Sequence, residues 1–267
     1  MIKWPTGREA EEVMRGFRAF RGMENVIGAI DGSHIPIMGQ GEETKSYINR
    51  KDFPSIVLQA VCDHKLKFTN CFIGFPGAVH DARIFVNSPI YKDIMNKPIE
   101  MLPRDSFLIG DAAYGLETFL ITPFKGLELG ARSSESNFNF VHASTRNVIE
   151  RAFGVMKGRF RRLTEKIQIT DPEEICKLTM VACILHNFCL LEEERLFTDA
   201  DDSDDDTETF EELDVNDDKA LEVRRNRKRK IEDIEPCLVT YGSDKKSAKR
   251  KRNEIVKKLE NRKKRNN

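Results

Sequence analysis

Four acidic residues stand where acids are costly, which raises the question of what they hold. Asp31 interrupts an apolar run, NVIGAIDGSHIPI (25–37), and Asp111 ends another, LIGDAAY (108–114). Asp81 opens a periodic segment directly after FPGAVH, and Glu150 lies among apolar neighbours in NVIERAFG (147–154). A carboxylate against apolar surroundings is costly to desolvate unless it is paired, hydrogen-bonded or bound to a metal. Strand-end residues of an α/β sheet point toward the crevice where ligands usually bind. Two aspartates on strand ends and a glutamate from a covering helix could converge there on a divalent cation. Hard cations such as Mg²⁺ take oxygen ligands, and a pair of them roughly 4 Å apart activates water and stabilises the leaving oxygen of a phosphodiester. Three or four acids at one spot would repel strongly without cations.

Each acid also has a plainer reading. Asp31-Gly32 suits a two-residue hairpin turn between VIGAI and SHIPI. Asp81 follows His80 at a helix start and suits an N-cap. Asp111 after Gly110 could open a turn. Glu150 lies four residues after Arg146, the spacing of an intrahelical ion pair. Spacing alone leaves both sets of readings standing.

The elements that must position these acids follow from periodicity. EEVMRGFRAFRG (11–22) predicts a short amphipathic helix ending at Gly22. VIGAI (26–30), SIVLQAVCD (55–63) and KFTNCFIGFPG (67–77) predict strands, the last two joined as an antiparallel hairpin. HDARIFVNSPIYKDIM (80–95) reads as helix, SFLIGDAAYG (106–115) as a buried strand and LITPF (120–124) as a short edge strand stopped by Pro123. ASTRNVIERAFGVMKGRFRRL (143–163) carries an apolar stripe, with basic residues crowding its last turns. DPEEICKLTMVACILHNFCLLEEE (171–194) predicts a final helix with Asp171 as N-cap and Pro172 at its first position. The order of strands and helices predicts an α/β domain, one mixed sheet flanked by helices.

Composition narrows the class. The balance of 44 basic against 44 acidic residues averages opposed blocks: residues 199–218 hold twelve acids and no base, whereas RRNRKRK (224–230), KKSAKRKR (245–252) and RKKR (262–265) are almost wholly basic. Such blocks mark a disordered acidic-then-basic tail, within which KRNEIVKKLENRKKR (251–265) could form a transient basic helix, and they predict a domain ending near Leu196. The six cysteines show no C-x-x-C pair or metal-finger spacing, as expected of reduced core residues in a soluble intracellular protein. LTMVACILHNFCLL (178–191) is too short and too polar in its middle to predict a membrane span.

Five blocks in chain order resemble the PIF/Harbinger family of DDE transposases and its domesticated nuclease branch: IKWP with FRGMENVIGAIDGSHIPI; FPGAVHDARIFVNSPIY; LIGDAAYGLETFLITPF; FNFVHASTRNVIERAFGVMKGRFRRL; and VACILHNF. The resemblance covers most of residues 3–190. It implies an RNase H-like fold and a divalent-metal cluster, Mg²⁺ or Mn²⁺, held by Asp31, Asp81, Asp111 and Glu150. Asp31, Asp111 and Glu150 would be the catalytic acids, with Asp81 a further ligand or an orienting group. His80 and His34 are candidate supporting groups. The implied reaction is hydrolysis of a DNA phosphodiester, followed in true transposases by strand transfer from the freed 3′ hydroxyl. Under that reading Arg151, Lys157, Arg159, Arg161 and Arg162 could neutralise DNA phosphates.

The resemblance divides residues 1–196 into an N-terminal helix or remnant of a preceding region (1–24) and the DDE endonuclease domain (25–196); the charged tail (197–267), read from composition, departs from the family pattern. Family members usually carry a helical DNA-binding-like segment before IKWP and depend on a separate Myb/SANT-like partner. The basic clusters read as nuclear-import signals, so the expected location is the nucleus, with the cytoplasm secondary. The competing expectation is a catalytically silent, domesticated nuclear binding protein acting through partner or nucleic-acid contacts.

Overall fold

Asp31 and Gly32 do not form a turn. The strand β1 (Val26–Pro36) runs straight through them. The strand β2 (Ser55–Cys62) is buried along its whole length and pairs antiparallel with β1, placing Asp31 opposite Ala60 and Gly32 opposite Gln59. A long buried partner binds both halves of NVIGAIDGSHIPI, which a hairpin folded back on itself could not match. The computed structural model describes residues 2–39, 44–125, 133–169, 171–201 and 244–266.

The strand β3 (Phe68–Pro76) returns antiparallel to β2, as expected of a hairpin. Asp63 shapes the connection by accepting from the backbone N–H groups of Lys65 at 2.9 Å and Lys67 at 3.0 Å. On the other side of β1 lie two short parallel strands, β4 (Phe107–Ile109) and β5 (Leu120–Ile121). The sheet order is β3-β2-β1-β4-β5. The described helices are α1 (Gly7–Arg21), α2 (Thr44–Tyr47), α3 (Asp81–Asn87), α4 (Pro89–Asn96), α5 (Pro98–Met101), α6 (Ser134–Arg159), α7 (Pro172–Asp201) and α8 (Lys245–Asn266). The predicted 80–95 helix is two helices. Pro89 starts the second, and Ser88 caps it by accepting from the Tyr91 N–H. The result is a mixed sheet with helices on both faces, an RNase H-like α/β fold.

Two apolar layers hold this arrangement. Ala29, Leu58 and Phe68 of the sheet bury against Phe138, Ile149, Ala152 and Phe153 of α6 and Cys183 of α7. Ile27, Ile30, Val61 and Leu108 bury against Phe85, Ile90 and Ile94 of α3 and α4. Each such side chain contributes about 1.5–3 kcal/mol when fully buried. Residues 1–24 are not a detached remnant, because Val13 and Phe17 of α1 lie within the first layer.

Membership of the compact unit differs from the expected boundaries. One unit comprises Met1–Glu192 with Tyr241–Asn267, and another spans Glu193–Thr240. The charged stretch 202–243, which carries most of the acidic block and the 224–230 basic cluster, lies outside the described residues. Residues 245–266, expected to lie in the disordered tail with a transient basic helix over 251–265, form α8 on the domain. Ala248 is fully buried, and Ile255, Val256 and Leu259 are buried with it. Arg252 lies 3.7 Å from the Phe124 ring and donates to the carbonyls of Thr122 and Pro123. A basic composition thus hides an apolar seam at helical spacing, and stacking consumes one of its cations.

The stretch Pro172–Glu193 of α7 is long and apolar enough to cross a membrane by length and composition, contrary to expectation. In this fold one face of it packs inward. Asn187 completes that packing with two bonds to the Phe68 backbone, accepting from its N–H at 2.8 Å and donating to its carbonyl at 2.7 Å.

Candidate active site

The parallel register of β1 and β4 sets the site. Ala29 pairs with Ile109, so Asp31 and Asp111 each lie two residues further along neighbouring strands. The strand β4 stops at Ile109, which leaves that edge of β1 uncovered where Asp31 sits. Asp31 is therefore within a strand and not at its end, but it meets the crevice that ends β4. Successive residues of a strand face opposite sides. Asp31 turns to α6, while the position of a Gly32 side chain is taken by the Asp81 carboxylate, so that an added Cβ would strike its Oδ1.

The local chain fixes each acid. The Gly32 N–H donates to Asp31 Oδ1 at 2.8 Å. Asp111 accepts from the Ala113 N–H at 2.8 Å, so it opens a turn as well as lining the crevice. His80 is the residue flanking the start of α3, and Asp81 is the first helical residue and not its cap. The buried Gln59, opposite Gly32, donates from Nε2 to the Asp81 carbonyl and to the Tyr114 hydroxyl, both at 3.2 Å. Gln59 and Tyr114 are the floor of the site.

Asp31, Asp81 and Asp111 act on one another. Burial pushes the Asp31 carboxyl up to about 7, opposed by Arg146 and reinforced by the charges of Asp111 and Asp81. Burial and then Asp111 push Asp81 up to about 6, against the pull of Arg50. Buried Tyr114 is raised well above its usual value by burial and then by the charges of Asp81, Asp31 and Asp111.

Glu150 is placed differently. Arg146, four residues earlier on α6, donates to Glu150 Oε1 at 2.5 Å and to Asp31 Oδ2 at 2.7 Å. The intrahelical pair anticipated from spacing is therefore formed, and its guanidinium also spans to β1. Burial disfavours the charge on Arg146, but Asp31, Glu150 and Asp111 together raise its pKa and keep it protonated. Glu150 thus reaches Asp31 through a cation belonging to the chain itself. Among the described residues no group of three or more His, Cys, Asp or Glu side chains is set as a ligand shell. The donor chemistry nonetheless suits a hard divalent cation, because three oxygen donors lie in mutual repulsion that such an ion relieves.

The predicted nucleic-acid residues divide. Lys157 is half-buried and donates to the His34 carbonyl at 2.8 Å. Arg151, Arg161 and Arg162 are exposed, and Arg159 is partly buried. Spacing did not single out Arg50 or Lys51, neighbours in the loop between α2 and β2. Arg50 Nη2 donates to His80 Nδ1 at 2.6 Å, next to Asp81. The loop composition INRKDF (48–53) was their only signal.

An acid within β1, a second just past the neighbouring parallel strand, a third at a helix start and an acid-bearing helix across them define a nuclease-like carboxylate site on an RNase H-like sheet. The chain belongs to the DDE superfamily endonucleases, the family whose model matches residues 30–187 and so spans all four acids. It is 30% identical over 192 residues to a protein of Rattus norvegicus named "Putative nuclease HARBI1", covering 71% of this chain and 53% of that protein. It is 27% identical over 210 residues to "Protein ALP1-like" of Arabidopsis thaliana, covering 74% of this chain and 50% of the other. The chain therefore spans about half the length of the curated relatives it matches. No solved structure matches it.

Proposed function

We propose that this chain is the catalytic domain of a divalent-metal-dependent endonuclease acting on DNA phosphodiesters. The observation that carries the reading is the convergence of Asp31, Asp81 and Asp111 from three separate segments, close enough that the charge of Asp111 raises both Asp31 and Asp81. Asp31 and Asp111 would hold Mg²⁺ or Mn²⁺ with Asp81, and Glu150 would join once released from Arg146. A bound divalent cation supplies a water of lowered pKa and neutralises charge on the cleaved phosphate. The protein's own part is positioning. The Gly32 and Ala113 N–H groups hold one oxygen each of Asp31 and Asp111, and Arg146 holds the second oxygen of Asp31. Gln59 ties the first turn of α3, and with it Asp81, to the sheet.

Incubation with supercoiled plasmid and Mn²⁺ tests this. Wild type should nick it, and Asp31→Asn should lose at least about a hundredfold of that rate, on the scale of removing one charge-stabilising group. Mn²⁺ should raise the melting temperature of wild type but not of the variant, since a ligand bound only by the native state stabilises it. Equal nicking by both proteins, or none by either, sinks the enzyme reading. A second expectation concerns the crowding at Gly32. Gly32→Ala should displace Asp81 and cost roughly a hundredfold in nicking, the scale of a 1 Å misplacement, while circular dichroism stays that of wild type. Unchanged nicking would mean that Asp81 takes no part.

In the same reading the protein works in the nucleus, with basic blocks such as RRNRKRK (224–230) as the import signal, and a Myb/SANT-like partner supplies the choice of DNA site. Strand transfer after hydrolysis belongs to the same proposal. The alternative of a silent binding protein has one observation in its favour, the Arg146 bridge that occupies Asp31 and Glu150 together.

A further inference from the structure

A tight loop carries two cations, Arg50 beside Asp81 and Lys51 beside His34, and Lys157 of α6 reaches the same His34. The loop is closed by an antiparallel bridge between Ile48 and Pro54 and by the Asn49 N–H donating to the Phe53 carbonyl at 3.0 Å. Buried Asn49 fastens it from within. Its Oδ1 accepts from the Lys51 N–H at 2.8 Å, and its Nδ2 donates to Ser55 Oγ at 2.9 Å. The same Ser55 hydroxyl lies 3.0 Å from His34 Nδ1 on β1. The tip is thus braced to the sheet, and Asp52 adopts the left-handed conformation, φ 60°, that turns it. Arg50 leaves the tip toward His80 and acts on Asp81. Lys51 leaves it toward His34 and Lys157, whose ammonium is anchored on the His34 carbonyl.

We propose that Arg50 and Lys51 of this loop, with Lys157 of α6, grip a DNA backbone phosphate immediately beside the carboxylate site. The proposal rests on the nuclease reading and adds the group that seats the strand. Arg50 stands at Asp81, and Lys51 and Lys157 meet at His34, three residues along β1 from Asp31, so a place for the phosphate adjoins a place for the metal. Among the described residues no carboxylate forms an ion pair with Lys51 or Lys157. Their charges repel, and burial followed by Lys51 draws Lys157 down to about 8. An anion between them would relieve that repulsion. The fork of Arg50 suits a phosphate's paired oxygens, and the two ammoniums supply point charges.

The test uses the full chain, a labelled DNA duplex in EDTA and supercoiled plasmid in Mn²⁺. Each lost phosphate contact should lower the slope of log affinity against log salt by about 0.9. The double variant Arg50→Ala/Lys51→Ala should therefore lose a slope of about two and nick at least about tenfold more slowly, with the Mn²⁺ melting shift of wild type retained. Arg50→Lys should recover the slope but not the full rate, because the charge returns without the fork. As a control, Arg8→Ala/Arg15→Ala on the exposed face of α1 should change nicking less than twofold. If wild type nicks and the loop variant matches it in slope and rate, or if the α1 variant loses as much, the grip is overturned and the nuclease reading stands. If wild type neither binds the duplex nor nicks plasmid, both fall.

Discussion

Asp111→Asn is expected to yield a protein that no longer nicks DNA yet melts higher than wild type in EDTA at pH 8. The asparagine keeps an oxygen for the Ala113 N–H, so the turn survives. What it removes is a charge that raises both Asp31 and Asp81. With Asp31 at about 7 and Asp81 at about 6, against an ordinary 3.8, the native state binds more protons than the unfolded chain across roughly pH 4 to 7. Stability therefore falls as pH rises through that window, and the whole cost is present above about pH 7. One pKa unit corresponds to about 1.4 kcal/mol, so an Asp31 raised from 3.8 to about 7 carries a cost on the order of 4 kcal/mol. Burial is the largest part of it, and the charge of Asp111 adds a smaller share in the same direction.

Each kcal/mol of that relief translates into a melting temperature about 3 °C higher for a domain of this size. Differential scanning calorimetry in EDTA checks it, and the comparison at pH 5 is the control. There Asp31 and Asp81 hold their protons, Asp111 has little charge to repel, and the gap between variant and wild type should close. A variant that melts lower than wild type at both pH values would place Asp111 away from the other two acids. The expected opposition between stability and activity is the pattern of a site that holds strain for function.

Asp31 and Asp111 were legible in the sequence because each is a lone acid at an apolar run, and the register of two parallel strands then sets them level. The hairpin reading of Asp31-Gly32 was equally local and failed, because pairing of the segment was decided by β2, a distant stretch with greater apolar burial. Glu150 was legible only as half of a pair. Its i,i+4 spacing identified Arg146, but the bond from Arg146 to Asp31 joins residues 115 apart and has no local signature. Gln59 and Tyr114 were hidden for the same reason, since a glutamine in a buried strand acquires meaning only when Gly32 and α3 arrive opposite it. The helix α8 shows the reverse failure. Ala248, Ile255, Val256 and Leu259 recur at helical spacing within a chain of lysines and arginines, and charge counting concealed them.

Arg146→Ala should lower the apo protein's stability while strengthening its hold on Mn²⁺. One guanidinium bonds Asp31 and Glu150 at once, with side-chain exposures of 13% for Arg146, 18% for Asp31 and 37% for Glu150. Its removal takes away the cation that opposes the rise of the Asp31 carboxyl, so Asp31 must bear an unpaired buried charge or take up a proton. Breaking a fully buried pair costs about 3–5 kcal/mol, and partial exposure here brings the expectation to about 2 kcal/mol, or roughly 5 °C in melting temperature at pH 8. The same deletion frees two carboxylates and removes a positive charge that repels any metal ion. A unit charge at about 4 Å is worth about 1–4 kcal/mol between water and partly buried conditions, so Mn²⁺ affinity should rise by roughly tenfold or more. The Mn²⁺-induced melting shift should then be larger in Arg146→Ala than in wild type, and Arg146→Lys should lie between them. A shift equal to or smaller than that of wild type would show that guanidinium and metal do not share these acids. If the larger shift is found and is abolished by adding Glu150→Gln, Glu150 joins the metal ligands, and Arg146 is the cation that keeps the site closed until metal arrives.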